Sequence, residues 1–295
     1  MSGPHDAWPT LVHEELASMV GYVSRVVQVA GKYTLDEPFE VGWGNVVLLD
    51  DDVVIDADTG SRTVPLSTGS VATFYAAFLG AAAELGIDRP RSLLICEIPD
   101  CAPTFEADHA ERSWDPGAAR LMWEALSLAA GGLETWQAPF RGHRPRVGVM
   151  WGGFDLSATR HRVQPTEPPP DRPMFMQNAQ LTAYVAVGFS FGDATSPSAG
   201  MYAYIWPQPD GLEGRSWGVD GAVWNADAGL VLLPWDTLGE TADPHQAIVK
   251  FGDAVYDAAV KLGGWPSDLI GPRVDGWYMS RTPPEVVRAQ HHWAY

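Results

Sequence analysis

The sequence contains an internal repeat. A predicted β-hairpin followed by a helix near the N-terminus recurs in diverged form near the C-terminus. The two hairpins are VVIDADTGSRTVPL and AVWNADAGLVLLPW. Four residues recur in them at one constant offset, as the pairs Ala57/Ala226, Asp58/Asp227, Gly60/Gly229 and Pro65/Pro234. The helices match at a second constant offset, with Phe74, Ala77, Ala81, Ala82, Leu85 and Gly86 recurring as Phe251, Ala254, Ala258, Ala259, Leu262 and Gly263. Shared composition rarely preserves two registers over two elements, so we predict an internal duplication.

The duplication constrains the architecture. One hairpin with one helix leaves an apolar sheet face uncovered, so we expect the two units, at about 38–87 and 200–264, to share a sheet or to pack around a pseudo-two-fold axis. Strands within 146–206 would complete the sheet. A chain of 295 residues could form one large domain or two small ones. The repeat favours a single domain over residues 1–295.

Local signals place several helices. Ser70 is suited to cap a helix that ends at Gly86, and the dipeptides Asp115-Pro116 and Asp243-Pro244 each combine a capping carboxylate with a proline at the first helical position. An amphipathic helix is predicted over 13–31.

The strand signals decide the fold class. RSLLICEI reads as a buried strand, and RVGVMWGGFDLSATRHRV as one long strand or a hairpin bent at Gly152 and Gly153. LTAYVAVGFSF and GMYAYIWPQP should extend the sheet beside the second hairpin. Strands joined mostly by short turns, with helices after hairpins, predict an antiparallel α+β fold.

The charge balance limits the partners. A formal net charge of -18, from 37 acidic and 19 basic residues, repels phosphate backbones and anionic membranes, so nucleic acid and membrane are not expected as partners.

The sequence shows no signal peptide and no apolar stretch long enough to span a bilayer, and we expect a cytoplasmic location. Cys96 and Cys101 match no zinc or redox spacing and are expected to be reduced. A small-molecule substrate is the expected partner, and a homodimer is left open.

A series of short motifs runs along the chain in a fixed order: IPD, F-x-x-D, a W-D-P helix start, F-R-G, W-G-G-F-D-L-x-x-T-R and W-P-Q-P-D-G. In this it resembles the bacterial domain-of-unknown-function family numbered five-nine-nine-six, from about Trp8 to Trp265. The stretch from Trp151 to Arg160 is the most specific part. The resemblance implies no reaction, because the family has no assigned activity.

The chain departs from the family pattern at several polar positions. Cys96 stands where the pattern has Asn, Glu111 where it has His, and Gly148 where a histidine is typical. A Ser-His-Glu of the pattern is replaced by Ala183, Tyr184 and Val185, or is missing. If these groups line a site in relatives, this chain has lost part of it, which suggests changed chemistry, for example in secondary metabolism.

Three carboxylates are candidate catalytic groups. Glu97 and Asp100 follow an apolar strand, and Asp155 follows two glycines within another. A carboxylate in apolar surroundings has a raised pKa, as a general acid or base near neutrality requires. The alternative is that each is a turn former or is paired with an arginine such as Arg141 or Arg160.

Aromatic residues supply candidates for binding. The chain has 13 tryptophans, and Trp43, Trp151 and Trp206 fall on predicted strands, as do Trp224 and Trp235. With Tyr204, they could form an aromatic wall that binds a ligand, while Arg141 or Arg160 holds an anionic or carbonyl group. The alternative for the aromatic residues is plain core packing.

No metal or cofactor is predicted. The eight histidines show no H-x-x-x-H spacing, and His109, His143 and His161 are the only ones close to the family motifs. Nucleophile-elbow, phosphate-loop and dinucleotide-turn motifs do not appear, which disfavours hydride transfer and ATP use.

Three functions follow in order of preference. The first is a cofactor-independent enzyme, of cyclase, isomerase or lyase type, that moves a proton on or cyclises a small organic molecule in an aromatic cleft. The second is a non-catalytic small-molecule-binding or interaction protein. The third is a metal-assisted hydrolase using His109 or His143.

Overall fold

The computed structural model describes residues 8–11, 16, 19–26, 44–49, 52–89, 102–150, 154–172, 174–192 and 198–271. The strands are β1 (Gly44–Leu49), β2 (Asp52–Ala57), β3 (Gly60–Pro65), β4 (Gly69–Ser70), β5 (Glu111–Arg112), β6 (Gly148–Met150), β7 (Asp155–Pro165), β8 (Thr182–Ser190), β9 (Gly200–Trp206), β10 (Val223–Asn225) and β11 (Leu230–Pro234). The helices are α1 (19–26, with residue 16 also helical), α2 (Val71–Glu84), α3 (Pro116–Gln137), α4 (Met174–Ala179), α5 (Trp235–Gly239) and α6 (Pro244–Gly263). Short 3₁₀ turns span Phe105–Ala107 and Ser267–Leu269.

A six-stranded sheet carries the larger core. Its strand order is β10-β11-β9-β8-β7-β6, and every neighbouring pair is antiparallel. The mixture of helices with antiparallel sheets confirms the predicted α+β class. The middle strands lie beside the second hairpin, as the sequence indicates.

Helices α3 and α6 cover one face of this sheet, which we call the helix face. Alternate residues of the strands, such as Leu156, Val187 and Ala203, point into the core between sheet and helices and are at most 5% exposed. Two close approaches set the helix packing: a Cβ on Gly132 would overlap Ile248, and a Cβ on Gly252 would overlap the Trp136 indole. Glycine at these positions lets α3 and α6 lie against each other.

The predicted helix starts are confirmed. The Ser70 hydroxyl accepts a hydrogen bond from the Thr73 N–H at 3.1 Å, and the carboxylates of Asp115 and Asp243 cap α3 and α6 in the same way. Gly86 has φ +76° just past α2, the left-handed conformation that glycine adopts without strain. Of the helix predicted over 13–31, residues 16 and 19–26 are described and helical.

The first hairpin lies in a different sheet from the second. Strands β1, β2 and β3 form a three-stranded antiparallel sheet that packs on α2, whereas β10 and β11 belong to the six-stranded sheet. The two units therefore do not share a sheet, which was one of the two arrangements that the repeat predicts. Each sheet has its own helix and its own buried cluster, so neither needs the other's strands to cover its apolar face.

Buried charges connect α1 to the segment after α2. Asp108 is 3% exposed, and its carboxylate forms an ion pair with Arg25, whose Nε lies 2.9 Å away, and accepts hydrogen bonds from both terminal nitrogens of Arg112. The Asp108 carbonyl also accepts from the N–H of Ala72 in the first turn of α2. One aspartate thus links three parts of the chain.

The predicted hairpin in RVGVMWGGFDLSATRHRV is present as β6 paired with β7. Residues 151–153, which contain the predicted bend, lie outside the described residues, as does the predicted strand RSLLICEI.

Candidate functional site

The second face of the six-stranded sheet, opposite α3 and α6, carries an unusual set of polar and aromatic side chains. Because side chains alternate along a strand, the register places residues of adjacent strands in rows across this face. The rows are His161–Tyr184–Trp206, Thr159–Ala186–Tyr204, Ser157–Gly188–Tyr202–Leu232 and, one step further, Ser190–Gly200–Pro234 beside Asp155. The second face is therefore where ionisable and hydroxyl groups meet.

Tyr202 crosses one strand to reach a carboxylate. It lies on β9, and its hydroxyl donates a hydrogen bond to Asp155 on β7. Gly188 on the intervening strand β8 makes this path available, because a Cβ there would overlap the Tyr202 ring. An aromatic ring lying over a glycine in a neighbouring strand also fills the gap that the glycine leaves in the sheet surface.

Asp155 begins β7 immediately after a strained residue. Phe154 has φ +53°, and within the described part of the chain it is the one non-glycine residue with positive φ. Phe154 is 5% exposed and its ring stacks on Phe191 on the helix face, while the next residue, Asp155, points to the second face. A non-glycine residue in this region costs about 1–3 kcal/mol and occurs often at functional sites.

Burial governs the ionisation of the pair. It raises the pKa of the Asp155 carboxyl above its ordinary value, although hydrogen bonds from Tyr202 and from the backbone N–H of Asp155 oppose the shift. Burial, and then the neighbouring Asp155 carboxylate, raise the pKa of the Tyr202 hydroxyl well above its ordinary value. At neutral pH Tyr202 is therefore a hydrogen-bond donor, and Asp155 is easier to protonate than a surface aspartate.

A cavity of about 440 Å³ lies over this part of the second face. Its described lining comprises Asp155, Ser190, Gly192, Ser198, Ala199, Gly200, Met201, Tyr202, Tyr204, Leu230, Leu232, Leu233 and Pro234. The volume is within the range of small-molecule sites, about 300–1,000 Å³. A mostly apolar lining with a few polar groups is also typical of such sites.

A second polar cluster lies next to the cavity on the same face. The hydroxyls of Tyr184 and Tyr204 are 3.2 Å apart, and burial is the main cause of the raised pKa of both. His161 stacks on Tyr184 and contacts Thr159 and Thr182 through its two ring nitrogens, each at 3.1 Å. Burial, followed by the nearby His143, lowers the pKa of His161, so this ring is more readily neutral than a surface histidine.

The structure brings together three of the predicted site residues. Asp155 and Tyr204 line the cavity, and Trp206 lies on the same face in the row with Tyr184. The Trp206 indole N–H faces the Gln180 carbonyl at 3.0 Å and the Thr166 hydroxyl at 3.2 Å. The indole N–H of Trp206 therefore has hydrogen-bond acceptors within the protein.

Arg160, predicted to hold an anionic or carbonyl group, lies on the helix face. It is fully buried, its guanidinium is 4.0 Å from the centroid of the Trp136 ring, and it donates to the Trp136 carbonyl. Asp253 on α6 is 3.8 Å from it. The sheet separates Arg160 from Asp155, so these two residues do not belong to one site.

Of the other predicted site residues, the structure describes only Arg141. Arg141 is exposed after α3, where its backbone N–H donates to Leu269 at 2.8 Å. Glu97, Asp100, Trp43 and Trp151 lie outside the described residues.

Sequence reasoning missed Tyr202 and Gly188. The signal for Tyr202 was present, because it is two residues from Tyr204 in the strand GMYAYIW and must share its face. Gly188 carried no local signal, since its importance depends on which residue of β9 lies opposite it.

The fold and the site define an α+β protein with a carboxylate–tyrosine pair in the wall of a cavity over an antiparallel sheet. The chain belongs to the Family of unknown function (DUF5996), whose sequence profile matches residues 45–271. This confirms the resemblance inferred from the motifs. No curated protein and no solved structure matches the chain.

Two further observations concern only the described residues. None of their helices is long and apolar enough to cross a membrane. They also contain no group of three or more His, Cys, Asp or Glu side chains arranged to hold a metal ion.

Proposed function

We propose that the protein is a cofactor-independent enzyme that transfers a proton on, or cyclises, a small organic molecule bound in the cavity over the second face. The observation that carries the proposal is the hydrogen bond from Tyr202 to Asp155 in the cavity wall. The Asp155 carboxyl takes up or releases the proton, and Tyr202 orients it.

The raised pKa of Asp155 supports this role. A general acid or base works best when its pKa lies near the operating pH, and burial moves this carboxyl in that direction. In the reaction, the carboxylate accepts a proton from the substrate while the freed electron pair stays on the substrate and either moves to another atom or forms the new ring bond. The carboxylic acid then returns the proton, so no external oxidant or reductant is needed.

The rest of the site supports a small, largely apolar substrate. Leu230, Leu232 and Pro234 line the cavity with apolar side chains, and Ser190 and Ser198 contribute hydroxyl groups to the same lining. Excluding water from such a site strengthens the electrostatic interactions inside it.

The experiment is a turnover screen in D₂O. The purified protein is incubated with a small-molecule extract, and the mixture is followed by liquid chromatography and mass spectrometry. A proton transfer to carbon appears as deuterium incorporation, and a cyclisation appears as a new compound of unchanged mass or with water lost. The expected changes occur with the wild type and the exposed-site control Asp210→Asn, and they disappear with Asp155→Asn.

A second candidate is a small-molecule-binding protein without catalysis. It is favoured by the engagement of Tyr184, Tyr202 and Tyr204 in hydrogen bonds within the protein, which leaves these hydroxyls less available for chemistry. Compounds retained by the protein but unchanged in the screen would support it. The described residues do not favour a metal-assisted hydrolase using His109 or His143, because they contain no group of three or more His, Cys, Asp or Glu side chains that could hold a metal ion.

An internal duplication remains part of the proposal. It is supported by the register of the two hairpins: Ala57 pairs with Gly60, and the pairing of Asn225 with Leu230 places Ala226 opposite Gly229 in the same way. We also propose a cytoplasmic location, a role in bacterial biosynthesis and a homodimer.

A further inference from the structure

The charge inside the cavity restricts the ligand. Among the described residues that line it, Asp155 is the one ionisable group that can carry charge at neutral pH, because Tyr202 and Tyr204 both have raised pKa values. The described lining contains no lysine, arginine or histidine. A carboxylate or phosphate ligand would therefore meet a like charge and no compensating cation in this part of the wall.

Asp155 itself lacks a counter-charge from the described residues. The groups that stabilise its ionised form are neutral donors, the Tyr202 hydroxyl and the backbone N–H of Asp155. Arg160, the nearest candidate in sequence, is on the opposite face, stacked on Trp136. A bound cation would stabilise a buried carboxylate that has only neutral hydrogen-bond donors, since an opposite charge within about 4–6 Å favours the ionised form.

The aromatic wall suits the same kind of ligand. Tyr202 and Tyr204 are nearly parallel, with ring centroids 6.4 Å apart and an interplanar angle of 14°. Neutral phenol rings attract organic cations over their faces, and this attraction adds to that of the carboxylate. The net charge of -18 also raises the local concentration of cations around the protein.

We infer that the ligand of this cavity is an organic amine, bound as its ammonium form with the charged nitrogen at Asp155 and its apolar part against Leu230, Leu232 and Pro234. The inference rests on the proposed function, because it takes this cavity as the substrate site. An amine ligand also specifies the first step of the proposed reaction. The Asp155 carboxylate accepts a proton from the ammonium group, which frees the nitrogen lone pair to attack an electrophilic carbon of the same molecule. As the N–C bond forms, one bond of that carbon to an electronegative atom, such as the π bond of a carbonyl, breaks. Its electron pair moves to the electronegative atom, which takes the proton back from the Asp155 carboxylic acid.

The test is a binding panel that does not depend on turnover. Three probes of similar size and different charge are compared: 2-phenylethylamine, 2-phenylethanol and 3-phenylpropanoate. Affinities are measured by ligand-observed NMR and by tryptophan fluorescence at pH 7 with the wild type, Asp155→Asn and the control Asp210→Asn. The amine is expected to bind about tenfold tighter than the alcohol, the lower end of what close charge pairs contribute, with the acid weakest.

The variants distinguish the contribution of the Asp155 charge to amine binding from the contribution of the cavity's shape. In Asp155→Asn the amine and the alcohol should bind equally, whereas Asp210→Asn should keep the wild-type preference. The preference in the wild type should grow as the pH rises through the folded pKa of Asp155, which burial raises above its ordinary value. If Asp155→Asn fails to fold, the pH dependence and a downward shift of the Asp155 pKa upon amine addition, measured by carbon-detected NMR, take its place.

Several outcomes overturn the inference. They are equal binding of amine and alcohol to the wild type, a preference that survives Asp155→Asn, or no binding of any probe. These results leave the turnover screen intact, because that screen detects proton transfer on substrates of any charge. Conversely, a charge-selective panel with no turnover retains the amine site and rejects the enzyme.

Discussion

The ring of Tyr202 lies over the backbone of Gly188, so that a hydroxyl from β9 reaches a carboxylate on β7 across the strand between them. The pairing of Gly188 with Tyr202 in the β8–β9 ladder produces this arrangement. The Asp155–Tyr202 pair therefore depends on a position that has no side chain.

Gly188→Ala should displace the Tyr202 ring and break its hydrogen bond to Asp155. The overlap with the ring and with the Leu156 carbonyl should lower the free energy of unfolding by about 1–3 kcal/mol, as overpacking of a core typically does. Denaturant unfolding measures the loss. Gly80→Ala in α2 is the control, because a Cβ there meets nothing within 4 Å, and it should be neutral or stabilising. Equal effects of the two changes would show that Gly188 is not a packing constraint.

Asp155→Asn should change how stability depends on pH. The folded state raises the pKa of Asp155, so the folded protein binds this proton more tightly than the unfolded chain does. The stability from this group is complete below the unfolded pKa, about 3.9, and is lost as the pH rises through the folded pKa. The variant should therefore gain stability relative to the wild type from about pH 4 upward.

The measurement is the unfolding free energy of both proteins from pH 4 to pH 7. Asp210→Asn, at an exposed position, should show no such trend relative to the wild type. A difference between Asp155→Asn and the wild type that is constant over this range would contradict the raised pKa.

Arg160→Lys decides between a structural and a substrate-binding role for this arginine. The guanidinium stacks on Trp136 and lies 5.0 Å from the Tyr256 ring centroid, contacts that depend on its planar shape. We expect a loss of about 1–3 kcal/mol in unfolding free energy, as for a buried group left with poorer partners. Probe binding in the folded variant, measured well below its melting temperature, should equal that of the wild type. Weaker binding with unchanged stability would place Arg160 in the site.

Asp108→Ala should be the most destabilising of these changes. It leaves Arg25 and Arg112 without the buried carboxylate that both contact, and breaking a buried charge pair costs about 3–5 kcal/mol. Glu84→Ala removes a carboxylate that is 65% exposed and pairs with Arg62, and this should cost less than about 1 kcal/mol. Thermal and denaturant unfolding of the two variants compares the buried and exposed pairs directly.

Part of the site was predictable from strand periodicity. Asp155 and Arg160 are five residues apart in one strand, and an odd separation places two side chains on opposite faces of the sheet. The prediction that places both residues in one site does not take this alternation into account. Tyr204 and Trp206 are two residues apart, and the structure places both on the second face.

The sheet assignment could not be predicted. The two hairpins have similar sequences and equivalent registers, yet one pairs with β1 and the other with β9. Which strand a hairpin meets depends on contacts between residues far apart in the chain, and the hairpin sequence does not encode them.

The sequence by itself determined the local structure: the starts of α2, α3 and α6, the alternating strands and the α+β class. These features follow from hydrogen bonds and periodicities within a few neighbouring residues. Only the tertiary structure decided that Tyr202 meets Asp155 over Gly188, and that Arg160 is enclosed by Trp136 and Tyr256. Those contacts depend on how strands and helices distant in the chain align, and that alignment is fixed by the packing of the whole core.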